Sequence, residues 1–378
     1  MKLTHDERST ARGATAASRK VKRVALVAAL GLSTLVMSGC GPREALRFGW
    51  PTGVTPEAEA MGHLWTWAVI ASLIVGFMVW IVIFYAITFW RHRDGDDSFP
   101  RQTAYNMPVE LVLVTLPFLA IAVLFYFTVV VENKVEGKAP NPDVVVDVTA
   151  YQWNWKFGYD QIRQPDGSMK SYATDGGPFK LQQEREALGH GHEGHAAPLP
   201  AGGRDDKIRD YLKYSSIETL GTPSEIPILV LPVGKRIEFN LAAADVVHSF
   251  WVPEFLYKRD VVPFPKQNHQ DPRFQIEKIT RPGAFVGRCA EMCGTYHAMM
   301  NFEVRAVSAE DFDRYIALRA GGMSTAQALE AICQVPVSVT TVPFETRRKT
   351  HGDTPKDIGN KFDTKQPNCT PRTTGASE

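Results

Sequence analysis

Residues 281–304 read RPGAFVGRCAEMCGTYHAMMNFEV, a run of metal-donor side chains set between two β-rich segments. It opens in the β-rich run AFVGRC and closes into another, MNFEVRAV. Between the two, Cys289, Cys293, His297 and Met300 fall within twelve residues. Two thiols, an imidazole and a thioether are therefore offered from one loop between two strands. Soft sulfur with imidazole selects copper over hard cations, while a thioether is a poor zinc ligand and structural zinc favours a C-x2-C spacing. A mononuclear electron-transfer copper takes one Cys, two His and a distant Met. Here a second Cys four residues on lets two sulfurs bridge a pair of copper ions, which requires a second imidazole.

About forty residues upstream, ADVVHSFWVPEF (244–255) supplies it: His248 follows the β-run at 236–241 and is flanked by apolar residues, as expected of a ligand on a rigid loop above a barrel. The same cysteine pair also fits a disulfide, or a C-x3-C copper chaperone. A chaperone of that kind alternates helices and strands behind a single anchor. Here the pattern from residue 144 onward is instead a series of short β-rich runs, VVVDVTAYQWNWKFGY, EIPILVLPVGKRIEFNL and RFQIEKI, which predicts an all-β barrel or sandwich.

Ahead of the β-rich region lie two uncharged stretches, residues 64–90 (27 residues) and 111–131 (21 residues), each long enough to cross the ~30 Å hydrocarbon core as a helix. Arg91, His92, Arg93 and Arg101 in the connection place it in the cytoplasm by the positive-inside bias, so both outer ends of the hairpin face outward. Residues 1–39 hold seven Lys or Arg against two acidic residues and end in an apolar run too short to span, the pattern of an export signal. Its junction, Met-Ser-Gly-Cys, resembles a bacterial lipoprotein cleavage site, which would make Cys40 the lipid-bearing first residue of the mature chain. The formal charge of the whole is +1, so that of the chain after residue 39 is −4; no compositional bias marks disorder or a fibre, and no nucleic-acid partner is expected.

The order D-V-x-H-S, R-P-G, C-x-E-x-C-G-x-x-H-x-x-M resembles subunit II of the haem-copper cytochrome c oxidases, actinobacterial type, over residues 60–163 and 223–308. The resemblance implies a cupredoxin-like β-barrel behind a two-helix transmembrane hairpin. It implies a binuclear copper centre in which Cys289 and Cys293 bridge both ions, His248 and His297 bind one each, Met300 is a weak ligand and the Glu291 carbonyl completes the set. It further implies a magnesium ion shared by the Glu291 side chain with subunit I, electron entry at Trp153 of the Q-W-x-W motif, and a proton-path entrance at Glu110, seven residues before Pro117. Asn154 departs from the aromatic residue usual between the two tryptophans. The haem belongs to the partner subunit. The partners implied are oxidase subunits I and III and a donor, either cytochrome c or a membrane-bound cytochrome c subunit of a quinol-oxidising complex, within a respiratory supercomplex. Quinol oxidase subunits share hairpin and barrel but lack these copper ligands, and nitrous oxide reductase carries the motif behind a propeller domain that has no counterpart here.

The expected organisation is a signal peptide at 1–39, an extracytoplasmic segment at 40–63, the hairpin at 64–131, the copper domain at 132–308 with an insertion at 164–222, a short helical extension at 309–334 and a tail at 335–378. The insertion is rich in Gly, Pro and charge, and its HGHEGH run (190–195) reads as a solvated loop rather than a metal site. Ser308 and Ser324 each precede an Asp or Gln by three residues and predict two helix N-termini. Cys333 and Cys369, left over in an exported tail, are expected to form a disulfide.

Overall fold

A computed structural model describes residues 47–91, 95, 99, 102–174, 211–343, 363–367 and 369–371. The signal segment, Cys40 and the HGHEGH histidines (His190, His192, His195) lie outside the described residues.

Helix α1 (Pro56–Phe89) begins where Thr55 accepts a hydrogen bond from the Ala58 amide at 3.1 Å and a proline takes the first helical position, where its missing N–H costs nothing. It starts before the expected span because its first turns carry Glu57 and Glu59 and lie against the β-domain, Glu57 Oε1 accepting from the Glu277 amide at 2.9 Å. Helix α2 (Met107–Glu136) contains Pro117, and in its first turn Glu110 Oε1 accepts from the Asn106 amide at 2.9 Å. Both helices are long and apolar enough to cross a membrane, and large side chains such as Phe77 (71%) and Phe118 (69%) point outward, as they would toward lipid.

The β-domain is a cupredoxin-like sandwich. Its strands are β1 (Val144–Tyr151), β2 (Asn154–Arg163), β3 (Met169–Ser171), β4 (Ala173–Thr174), β5 (Tyr214–Ser215), β6 (Glu218–Leu220), β7 (Ile228–Pro232), β8 (Ile237–Ala243), β9 (His248–Val252), β10 (Tyr257–Val261), β11 (Arg273–Ile276), β12 (Gly283–Cys289) and β13 (Asn301–Val307). One sheet runs β11-β8-β1-β2-β3 with β6 also on β2, and the other runs β10-β9-β12-β13-β7. Pairing is parallel between β1 and β8 and between β13 and β7, and antiparallel elsewhere. Period-2 alternation sends Val146, Val148, Phe239 and Leu241 of the first sheet inward against Phe250, Phe285 and Phe302 of the second, all essentially without exposure.

Three stretches differ from expectation. His248, expected on a loop above the barrel, is the first residue of the five-residue strand β9, which pairs with β10. The ends of the 164–222 segment are not outside the sheets: β6 pairs Phe157 with Thr219 and Lys156 with Leu220, and Leu212 and Tyr214 pack with Tyr151 and Ala242 on the outer face of the first sheet. Strands of two or three residues are too short to display an alternation, which is why sequence pattern missed them. The two predicted helices are present, α3 (Ala309–Ala320) capped by Ser308 and α4 (Thr325–Ala331) by a Ser324–Gln327 capping box. Beyond them part of the tail is folded, with Thr340, Thr341 and Thr364 buried and Cys333 bonded to Cys369.

The domain meets the hairpin at two places. The Val54 amide donates to the Glu254 carbonyl (3.0 Å) and the Val54 carbonyl accepts from the Thr280 amide (2.8 Å), just ahead of α1. At the end of α2, Glu136 pairs with Arg259 at 2.9 Å, and Lys138 pairs with Asp271.

Candidate metal centre

His248 opens β9, Cys289 closes β12, and Cys293, His297 and Met300 follow on the loop into β13. Because β12 pairs with both β9 and β13, with Cys289 opposite Phe250, the ends of three strands meet at one edge of the sandwich. The loop turns at Gly294, whose φ of +120° disfavours other residues and whose missing Cβ would lie 3.1 Å from the Trp153 ring.

The donor atoms converge there. The Sγ atoms of Cys289 and Cys293 are 3.8 Å apart and unbonded to each other. His248 Nδ1 lies 3.9 Å from Cys289 Sγ, His297 Nδ1 lies 3.6 Å from Cys293 Sγ, Met300 Sδ is 3.9 Å from Cys293 Sγ, and the Glu291 carbonyl oxygen is 3.2 Å from Cys289 Sγ. The ligand atoms of His248, Cys289 and Cys293 all lie within 4.8 Å of one another, and the three residues are buried. With metal–sulfur bonds of ~2.3 Å, two sulfurs this far apart subtend roughly the tetrahedral angle at a shared ion. The arrangement thus fits a metal held between the thiols, with an imidazole on either side and a thioether behind.

The electrostatics favour metal uptake. The Cys289 thiol is held well below the ordinary thiol range, first by its hydrogen bond with Cys293 and then by His248 and the backbone at Glu291 and Ser249, which outweigh burial. Cys293 is correspondingly raised, by holding the shared proton next to Cys289 and by burial. The two thiols thus titrate as one hydrogen-bonded pair, and a metal bound by them would displace their protons. Burial alone would lower His248, but its hydrogen bonds to Asp245 and Cys289 together raise it.

Trp153 sits against this loop. Its Nε1–H donates to the Cys293 carbonyl at 3.1 Å and its ring meets Tyr296 edge to face at 4.9 Å. Trp155 lies beneath, fully buried, its Nε1–H directed at the Met300 carbonyl at 3.4 Å and its ring 6.3 Å from that of His248. Glu110 is far along the chain at the other end of the hairpin and takes no part in this cluster. Sequence reasoning assigned nothing to Asp245 and Gln152, which bond to His248 and to the Cys293 carbonyl. The signal for Asp245 was its place three residues before His248 in the quoted motif.

The chain's residues 211–307 match the family model for the cytochrome c oxidase subunit II periplasmic domain. A probable cytochrome c oxidase subunit 2 of Nocardia farcinica is 52% identical over 87% of this chain and 90% of its own length. Cytochrome c oxidase subunit 2 of Mycobacterium bovis is 51% identical over 89% of this chain and 93% of its own. That of Corynebacterium glutamicum is 48% identical over 87% and 95%.

Proposed function

The chain belongs to the cytochrome c oxidase subunit II family, and from that premise we propose that its β-domain carries a binuclear copper centre that accepts electrons from a cytochrome c type donor and delivers them to the haem of subunit I. As a subunit of an oxidoreductase it is a relay, with oxygen reduced to water in the partner. The observation that carries the copper reading is the pair of unbonded thiols 3.8 Å apart with His248, His297, Met300 and the Glu291 carbonyl around them. Cys289, Cys293, His248, His297, Met300 and the Glu291 carbonyl would hold the copper.

When bound, the paired copper supplies a one-electron couple with the charge shared over two ions. The residues supply fixed geometry: His248 and Cys289 belong to sheet strands and the remaining ligands to a loop tied at both ends to paired strands, so their positions stay put as the charge changes. Cys289 and Cys293 would hold the metal as thiolates, without their protons. Trp153 is the entry point, its indole N–H bonded to the Cys293 carbonyl, and exposed Met292, Val246 and Val247 offer the donor apolar side chains.

The finer assignments follow the family. The Glu291 side chain shares a magnesium ion with subunit I, and Glu110 stands at the mouth of a proton path. Subunits I and III are partners, and the 164–222 region contacts the donor, in a supercomplex when that donor is a membrane-bound cytochrome. The hairpin sits in the plasma membrane with both ends and the copper domain outside, and Cys40 is lipidated after export.

Copper per chain, with the electron paramagnetic resonance spectrum of the full-length chain reconstituted in detergent, tests the reading. Two coppers sharing one unpaired electron are expected. One copper, zinc, or a Cys289–Cys293 disulfide overturns it.

A further inference from the structure

Asp245, in the β8–β9 connection, is shared among three donors. Its Oδ1 is 2.8 Å from His248 Nε2 and accepts from the Val246 amide at 2.7 Å, while Oδ2 accepts from the Gln152 amide at 2.6 Å. Gln152 sits with Trp153 in the two-residue turn between β1 and β2, and its own Nε2 donates to the Cys293 carbonyl at 2.7 Å, the oxygen that also takes the Trp153 indole N–H. A hydrogen-bonded chain therefore runs from His248 through Asp245 and Gln152 to Cys293. It starts on one metal donor, ends on another, and passes along the backbone of the residue that presents Trp153.

This chain fixes a tautomer. His248 Nδ1 is the nitrogen that faces Cys289, so Nε2 carries the proton and needs an acceptor, and the ring is fully buried, where a wrong orientation has no water to satisfy it. A carboxylate suits the position because both of its oxygens accept. An amide there has one acceptor, and its NH2 would be turned on either the imidazole N–H or the Gln152 amide.

We propose that Asp245 is a positioning residue: it locks His248 with Nδ1 toward the thiols and, through Gln152, holds the Cys293 loop and the Trp153 turn in register with that imidazole. Metal ligation and the placement of the entry ring are then set by one carboxylate. The inference rests on the copper reading above.

The test compares full-length wild type, Asp245→Asn, Gln152→Ala and the double variant, each titrated with copper. Asp245→Asn is expected to weaken copper affinity by about 10- to 100-fold, to change the copper hyperfine pattern and to move the reduction potential. A role limited to folding would lower the melting temperature and leave spectrum and potential unmoved in the loaded protein, and that result overturns the proposal. For the relay through Gln152, the double variant is expected to lose no more affinity than Asp245→Asn alone; losses that multiply overturn it. Where Asp245→Asn does not fold, 15N-histidine spectra of the metal-free wild type decide: a proton on His248 Nε2, the nitrogen that faces Asp245, is expected, and an Nε2 without its proton overturns the proposal. A wild-type chain that takes up no copper fails at the earlier step and brings down both readings, whereas normal loading of wild type and Asp245→Asn alike removes only this one.

Discussion

Glu303 and Arg305, two residues apart on β13, form an ion pair whose side chains are both entirely shielded from solvent. The chain beyond α4 is what shields them. Glu303 Oε2 accepts from the amides of Val339 (2.7 Å) and Thr340 (3.0 Å) and from the hydroxyls of Ser338 and Thr340, and Arg305 donates to the carbonyls of Val335 and Val337 at 2.9 and 3.1 Å. Removing one partner strands a buried charge and frees that segment. Arg305→Ala is expected to cost ~3–5 kcal/mol of domain stability, read by denaturant unfolding of the metal-free chain. A loss under ~1 kcal/mol would mean that the segment does not depend on the pair.

The indole N–H of Trp153 and its ring make separable contributions. Trp153→Phe keeps an aromatic surface against Tyr296 and loses the bond to the Cys293 carbonyl, and Trp153→Ala loses both. If Trp153 is the entry point, electron acceptance from a reduced cytochrome c falls in the order wild type, Phe, Ala, with Ala slower by ~10-fold or more, equivalent to ~1.4 kcal/mol in the barrier. Stopped-flow oxidation of the donor measures this, with copper content as the control.

Met300 is buried and its sulfur lies behind Cys293. Met300→Leu conserves volume and is expected to change stability by under ~1.5 kcal/mol, while two thiolates and two imidazoles still hold copper. The weak ligand tunes the couple rather than the occupancy, so the reduction potential and visible spectrum shift at unchanged copper stoichiometry. Loss of one copper per chain in this variant would give Met300 a larger share of the binding.

Cys333 and Cys369 close a loop spanning 36 residues. Replacing both with Ser is expected to cost ~2–4 kcal/mol through the greater freedom of the unfolded chain. Peptide mapping without reductant recovers the bonded pair from wild type, and differential scanning of the double variant reads the loss.

Asp147 on the outer face of the first sheet is pushed up to about 7, chiefly by burial, against the hydrogen bond from Asn240. Its protonated form is the one the fold favours, so the native state binds more protons than the unfolded chain between about pH 4 and pH 7 and stability falls as pH rises across that window. Asp160 nearby is also raised by burial and adds in the same direction. Asp147→Asn is expected to flatten the fall and to raise the melting temperature above pH 7. An unchanged slope from pH 4 to 8 would place the carboxyl in contact with water.

Much of the candidate centre was legible because its residues are local: Cys289, Cys293, His297 and Met300 follow one another from the end of β12 to the start of β13, and the residues around them fix that loop between two strands. The hairpin was legible because a bilayer demands a length of uncharged chain that few other structures need. What was not legible depends on contacts between residues far apart in sequence. Nothing in the neighbourhood of Gln152 announces that its amide meets Asp245, 93 residues on. The Glu303–Arg305 pair reads in sequence as two exposed charges of a strand, because the segment that buries it lies 30 to 36 residues away. The strands β3 to β6 escaped because each is too short to carry a period.

The junction between hairpin and sandwich has a mechanical consequence. Hung by one strap, a globular domain can swivel, and the gap an electron must tunnel would widen and narrow with each swing. Val54 clasps the domain ahead of α1, at Glu254 before β10 and at Thr280 before β12, and Glu136 at the end of α2 clasps it at Arg259 of β10. Two clasps restrain the swivel that one would allow. The loop that carries Cys289 and Cys293 is then held at one height and heading relative to the two apolar helices before any partner arrives.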